Sequence, residues 1–231
     1  MTPTLQRSSL IAVLLMAWSG AAVAAQEIES PYRFVESTQE AGLFTGIASM
    51  GTGRFGYAPG SGIVLGARYG IDFSGPLTFE VVASAVSGTR DVIDPGRVEG
   101  DRKVGEANFL VGAVDGRVKL TLTGRRTWHG ISPFVLFGGG MAFDLAGAQA
   151  ADKALPPEDR FDFGKSFFGT LGSGVRWLPV PSFTVRLDGI FSLWKVKTPI
   201  GFAQSERGFE NVARSEWLQG VRLTLGAALR F

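Results

Sequence analysis

The chain contains no cysteine and one histidine, and only 19% of its 231 residues are charged. Without cysteine there is no disulfide framework, no thiolate metal site and no lipid anchor of the kind built on a leader cysteine. A single histidine, His129, excludes a multi-histidine metal centre. The charge content is too low for a disordered polymer, and 23 basic against 21 acidic residues leave a formal charge of +2, too small an excess to imply a nucleic-acid partner. Beyond the first 25 residues no run of eighteen apolar residues occurs, so no transmembrane helix is expected.

What the chain has instead is glycine and phenylalanine, 32 and 18 residues, within a hydrophobic fraction of 45%. Glycine weakens helices, whereas an aromatic-rich chain of many short segments suits a sheet closed on itself. The first 25 residues are a separate object. MTPTLQR carries one charge, SSLIAVLLMAWSG is apolar but short for a bilayer, and AAVAA supplies small residues for a signal peptidase. The expected organisation is a leader over 1–25, cleaved after Ala24 or Ala25, a short periplasmic segment over 26–40, and a barrel over 41–231.

From about residue 40 the chain alternates with period two, which sorts residues onto the two faces of a strand. In the last segment Trp217, Gln219, Val221, Leu223, Leu225, Ala227, Leu229 and Phe231 oppose Gly220, Arg222, Thr224, Gly226, Ala228 and Arg230. SGIVLGARYGIDF repeats the device, with Ile63, Leu65, Tyr69 and Ile71 opposite Arg68 and Asp72. Further segments at 41–50, 77–85, 107–122, 131–145, 161–177 and 183–196 bring the count to eight. The expected fold is all-β: an eight-stranded antiparallel up-and-down transmembrane β-barrel. Ten strands stay open if 26–40 or 86–106 contributes a pair.

The intervals between strands alternate in length: long at 51–60, 86–106, 146–160 and 197–216, short at 74–76, 123–130 and 178–182. An up-and-down membrane barrel has short turns at its periplasmic end and longer external loops. Phe73, Trp177, Phe183 and Phe231 lie beside the short turns, and Phe143, Phe163 and Trp217 beside the long loops, as two interfacial girdles require. Alternation alone does not fix which face looks outward, and a soluble lipocalin-like barrel has the same period.

With its leader, eight alternating segments and an aromatic at the end of the oily face, the chain resembles small bacterial outer-membrane barrels of the OmpA, OmpX and OmpW kind. The resemblance spans nearly the whole mature chain at the level of pattern. It implies an integral outer-membrane location in a Gram-negative cell and contact with membrane lipid and lipopolysaccharide. It further implies that the barrel assembly machinery reads the final strand, with Leu223, Leu225, Leu229 and Phe231 as the signal. A monomer without cofactor is expected.

An eight-stranded barrel is just wide enough for side chains to fill it. The face assignment puts Asp72, Glu80, Asp115 and Asp188 inside with Arg68, Arg117, Lys119, Arg176, Arg186, Arg222 and Arg230. A turn centred near Gly75 sets position 70 opposite 80, so Arg68 is expected diagonal to Glu80, with Lys119 as third member of an internal ionic lock. The alternative is a narrow wet lumen in which each charge contributes little.

Other motifs carry no chemistry. GTGRFG at 51–56 matches a dinucleotide-binding pattern, but no helix follows it. His129 lies in the turn TGRRTWHG, where Arg125, Arg126 and Trp128 suit lipid headgroups. The mixed-sign stretch 86–106 lacks the acidic spacing of a calcium loop and is the best candidate for an external contact. Phe202 and Phe209 are placed to fold over the barrel mouth. No enzyme is expected: the chain reads as a structural or interaction barrel without a wide pore, the alternative being a narrow channel or transporter for small molecules, hydrophobic ones included.

Overall fold

A computed structural model describes residues 30–231, so the leader expected over 1–25 lies outside the described residues. Ten strands follow: β1 Tyr32–Phe34, β2 Gln39–Met50, β3 Gly62–Ser74, β4 Leu77–Ile93, β5 Lys103–Thr121, β6 Arg126–Trp128, β7 Ile131–Asp144, β8 Lys165–Val180, β9 Phe183–Lys197 and β10 Ser215–Arg230. Eight of them are long, at 12 to 19 residues, and exceed the 9–11 or so that a tilted strand needs to cross a bilayer. They pair antiparallel in the order β7-β5-β4-β3-β2-β10-β9-β8, and β8 returns to β7. The barrel is therefore closed, and no long strand has an unpaired edge.

Closure joins the ends of the chain. β10 pairs with β2 from Gly220↔Met50 to Arg230↔Glu40, so the last strand seals against the first long one. The alternating residues resolve as the pattern requires, with the apolar set outward: Leu223, Leu225 and Leu229 are 50–62% exposed. β2, whose faces are mixed in sequence, turns Leu43 and Ile47 outward and Phe44 and Ala48 inward. Inward rings sit over glycines of neighbouring strands. A Cβ on Gly66 would stand 2.3 Å from Phe44 Cζ, and one on Gly174 2.5 Å from Phe134 Cζ, so the missing side chains make room for the rings.

Three expected boundaries are corrected. The stretch 86–106 is not one loop: β4 and β5 stay paired from Ser87↔Leu110 to Ile93↔Lys103 and leave only 94–102 as their connection. The polar character that suggests a loop belongs to a ribbon whose inner side buries Val92 and Ala107 against Leu155. The strand expected at 161–177 begins at Lys165, because Gly164, at φ +54, bends 161–163 off the wall. Phe163 is thereby buried rather than part of an outer girdle.

The third correction concerns 26–40 and 123–130. Gln39 and Glu40 already belong to β2, and upstream β1 pairs with β6, which lies inside the expected short turn. His129 at φ 49 and Gly130 at φ 78 form the two-residue link between β6 and β7. Positive φ at both central positions is what a tight hairpin of this twist needs. The wall still has eight strands, and the extra pair is a short ribbon at its turn end.

Candidate functional site

The lumen holds two layers. Near the turn end, Glu80 Oε1 accepts from Lys119 Nζ at 2.6 Å and from Arg186 Nη1 at 2.6 Å. Arg186 Nε donates to Asp188 Oδ1 at 2.6 Å, and Arg68 Nη1 to Asp188 Oδ2 at 2.7 Å. Four strands thus contribute to one chain of charges. In the ring of eight, β4 and β9 stand four places apart in either direction, so the Glu80–Arg186 pair spans a full diameter. Arg186 also lies 4.3 Å from the centroid of the Phe134 ring. Every member of this chain is at most 5% exposed, and a buried charge needs such pairing to be tolerable.

Arg68, expected diagonal to Glu80, pairs instead with Asp188 across the lumen. The register itself is as the turn dictates, Gly70↔Glu80. The arginine is long enough to reach past its diagonal neighbour, and Glu80 is already held by Lys119 and Arg186. Arg117 binds Asp115 on its own strand. Arg176 and Arg230 gather on Glu40, at 3.6 and 2.9 Å, and Arg230 also reaches Asp72 at 3.3 Å.

Glu40 is missing from the sequence-based set because the strand was begun at residue 41. Its alternation with Gly42 and Phe44 is the signal that could have found it. Arg222 is 2% exposed, and its three guanidinium nitrogens have no hydrogen-bond partner among the described residues.

Toward the loop end the lumen turns apolar. Val64, Val82, Val86 and Phe109 line it, and Phe168 stacks on Trp194 at 4.3 Å between centroids. Above them loops 51–61, 145–164 and 198–214 fold inward. Phe202 lies 4.6 Å from Phe55, 5.3 Å from Phe209 and 5.5 Å from Tyr57, and Tyr57 lies 5.2 Å from Phe161. Phe202 and Phe209 do cover the mouth. Phe55, Tyr57 and Phe161 join them, and their signal was aromatic residues standing in otherwise polar, glycine-rich loops.

Burying each ring stabilises the lid by about 1.5–3 kcal/mol. Polar latches fix its position. Arg90 pairs with Asp152 at 2.6 Å, where Asp152 also caps the one-turn helix α1, Ala150–Lys153. Glu216 accepts from the Tyr57 hydroxyl and from the backbone of Arg54. Burial, reinforced by that carboxylate, holds the Tyr57 hydroxyl well above the ordinary tyrosine range.

The third latch is Arg207 to Asp159 at 2.6 Å, between two loops. Asp159→Asn is expected to ease lid opening by about 1 kcal/mol, a figure kept low because Arg207 stays 26% exposed. Limited proteolysis within 198–214 should then run roughly fivefold faster, since cleavage tracks the open population. An unchanged rate would remove the latch from this description.

GTGRFG forms an irregular loop with Gly53 and Gly56 at φ 81 and 78, and the ring of His129 packs edge-on against Trp128 at 4.9 Å. Among the described residues no group of three or more His, Asp or Glu stands together as a metal site. Of the aromatics placed at the rims, Phe73, Trp177 and Trp217 are 52–62% exposed on the outer face, whereas Phe183 and Phe143 are half-buried.

No protein-family model and no curated protein matches the chain. Among solved structures it is similar to the outer membrane protein OprG of Pseudomonas aeruginosa, at 11% identity over 88% of this chain and 99% of that one, with a TM-score of 0.53. Neisserial surface protein A aligns over 84% and 97% at 13% identity, with a TM-score of 0.49. The likeness to OprG establishes the fold: this chain has the architecture of the small outer-membrane barrels.

Proposed function

We propose that the chain is an integral outer-membrane barrel with a structural and interaction role, presenting its loop end to the exterior and carrying no open pore. The observation that supports this most is the pairing of two features in one closed sheet. Its outer face is apolar on all eight long strands, from Leu43 and Ile47 through Leu65, Phe79, Val114, Phe137, Leu171, Leu187 and Leu225. Its inner face carries the charges and is crossed from wall to wall by Glu80 and Arg186. Such a surface is stable only in hydrocarbon. Among the described residues no helix is long and apolar enough to cross a membrane, so any crossing belongs to the strands.

In this reading residues 1–25 are a cleaved leader and the product is a monomer. Phe73, Trp177, Phe183 and Trp217 sit at the two interfaces. The assembly machinery engages Leu223, Leu225, Leu229 and Phe231, and the loops meet lipopolysaccharide. The second reading, a narrow channel or transporter for small molecules, draws on a cavity of about 280 Å³ at the loop end, walled by Phe109, Phe161 and Phe163 and by the charged Arg90, Asp144, Arg160 and Asp162.

Unboiled, detergent-extracted protein should migrate differently from boiled protein on a gel, which tests closure and location together. In planar bilayers it should pass no measurable current, and liposomes holding it should leak no solute. Steady conductance or solute flux would replace the first reading by the second.

A further inference from the structure

The ribbon of β1 and β6 is not needed to close the wall, and its two faces are sorted. Across the strands run the directly paired residues Tyr32↔Trp128, Trp128↔Ile131 and Ile131↔Trp177. Paired residues in an antiparallel sheet project to the same side, so this row continues the outer apolar face of the barrel beyond β7 and β8. Tyr32, Trp128 and Trp177 are 51–53% exposed. The next pair on the same side is Phe34↔Arg126, and the Arg125 guanidinium lies 5.0 Å over the Phe34 ring. Arg125 also donates to the carbonyls of Val35 and Glu36, which pins the chain leading from the ribbon into β2.

On the opposite side Thr127 of β6 is buried, whereas all three residues of β1 are exposed, and Arg33, Phe34 and Thr127 line a cavity of about 470 Å³ at the turn-side mouth together with Arg230, Ser37 and Ser182. The inside-outside alternation of the barrel therefore persists in β6, and β1 lies exposed beside it. On its outer side aromatic rings and arginines are mixed, where the wall above is mainly apolar.

We propose that this outer face is a docking surface for the headgroups of anionic phospholipid in the leaflet at the turn end. It rests on the outer-membrane reading and assigns that site its partner. Rings that are apolar in body and polar at the edge seat at the depth of the glycerol and phosphate groups, and the cationic neighbours select phosphate that carries a net negative charge. Continuity with the lipid-facing band fixes the occupant as membrane lipid rather than a soluble ion. The ribbon widens the contact on one side of the barrel only, next to β7.

The test uses the full folded chain. Native mass spectrometry of protein extracted from mixed phosphatidylglycerol and phosphatidylcholine vesicles should find phosphatidylglycerol preferentially retained. Arg126→Gln should lower that preference about fivefold, the contribution of one arginine near an anionic surface, whereas Arg126→Lys keeps most of it. In vesicles, the emission lost in Trp128→Phe should be quenched by lipid brominated near the glycerol and not by lipid brominated at the chain end. Equal retention of both lipids, an unchanged preference in Arg126→Gln, or displacement of the lipid by inorganic phosphate alone would overturn the assignment. Both Arg126 variants must keep heat-modifiable migration. A wild-type chain that never enters vesicles would instead sink the outer-membrane reading itself.

Discussion

Glu80→Ala is expected to cost about 3–5 kcal/mol of stability, because it leaves the buried Lys119 without its carboxylate and the buried Arg186 with Asp188 alone. Lys119 and Arg186 both donate to the same carboxylate oxygen at 2.6 Å, and each is 1% exposed. Neither can turn to bulk water without leaving the lumen, and arginine does not shed its proton at any accessible pH. Urea titration of the folded barrel in detergent, followed by gel migration, should show the midpoint falling by a large fraction of its value. A wet lumen, in which water replaces the lost carboxylate, predicts a change below about 1 kcal/mol. The double variant Glu80→Met with Lys119→Met separates the two further. Removing both partners together should cost less than the sum of the single changes, since Lys119 then leaves no orphan and Arg186, deprived of Glu80, is still held by Asp188.

Arg68 reaches Asp188 on the far wall rather than its diagonal neighbour Glu80. Period two sorts residues onto faces and a tight turn fixes register, so Gly70↔Glu80 is readable from YGIDFSGPL, residues 69–77, around Gly75. Both are relations between neighbouring strands. The ionic chain depends on strands that face each other across the lumen, β4 with β9 and β3 with β9, and nothing local in the sequence encodes that distance. Strand number sets it, through barrel diameter and shear. Membership of the interior and the Lys119–Glu80 pair between neighbouring strands are therefore legible in sequence, whereas pairing across the lumen is not.

The lid and the ribbon were hard to read for a different reason. Phe161 and Phe163 continue the alternation of β8 in sequence, and only the positive φ of Gly164 takes them off the wall. Tyr32–Phe34 and Arg126–Trp128 are three residues each, too short for any periodicity to register. They are defined by pairing with one another across more than ninety positions of chain. The β4–β5 ribbon looks like a loop in sequence because, past the apolar band, a strand has no reason to keep an oily outer face. Its exposed side is free to carry Lys103, Asp91 and Glu106, which pair at 2.8–2.9 Å.

Which face meets hydrocarbon can be decided by a gradient of substitutions along β10. Leu223 lies near the middle of that strand and Leu229 one residue from its end, both outward and both at least half exposed. If the outer face is embedded in lipid, Leu223→Arg should lower folding stability in vesicles by about 2–4 kcal/mol, and Leu229→Arg by about 0–1 kcal/mol. The difference arises because a guanidinium at the midplane must pull water or headgroups inward, whereas one at the rim reaches the interface by its own length. In a barrel surrounded by water the two arginines would be nearly equivalent, each costing a few tenths of a kcal/mol or even improving solubility. Denaturant midpoints of the two variants, compared with wild type in the same lipid, therefore report on depth. Equal and small effects at both positions would place this surface outside a membrane.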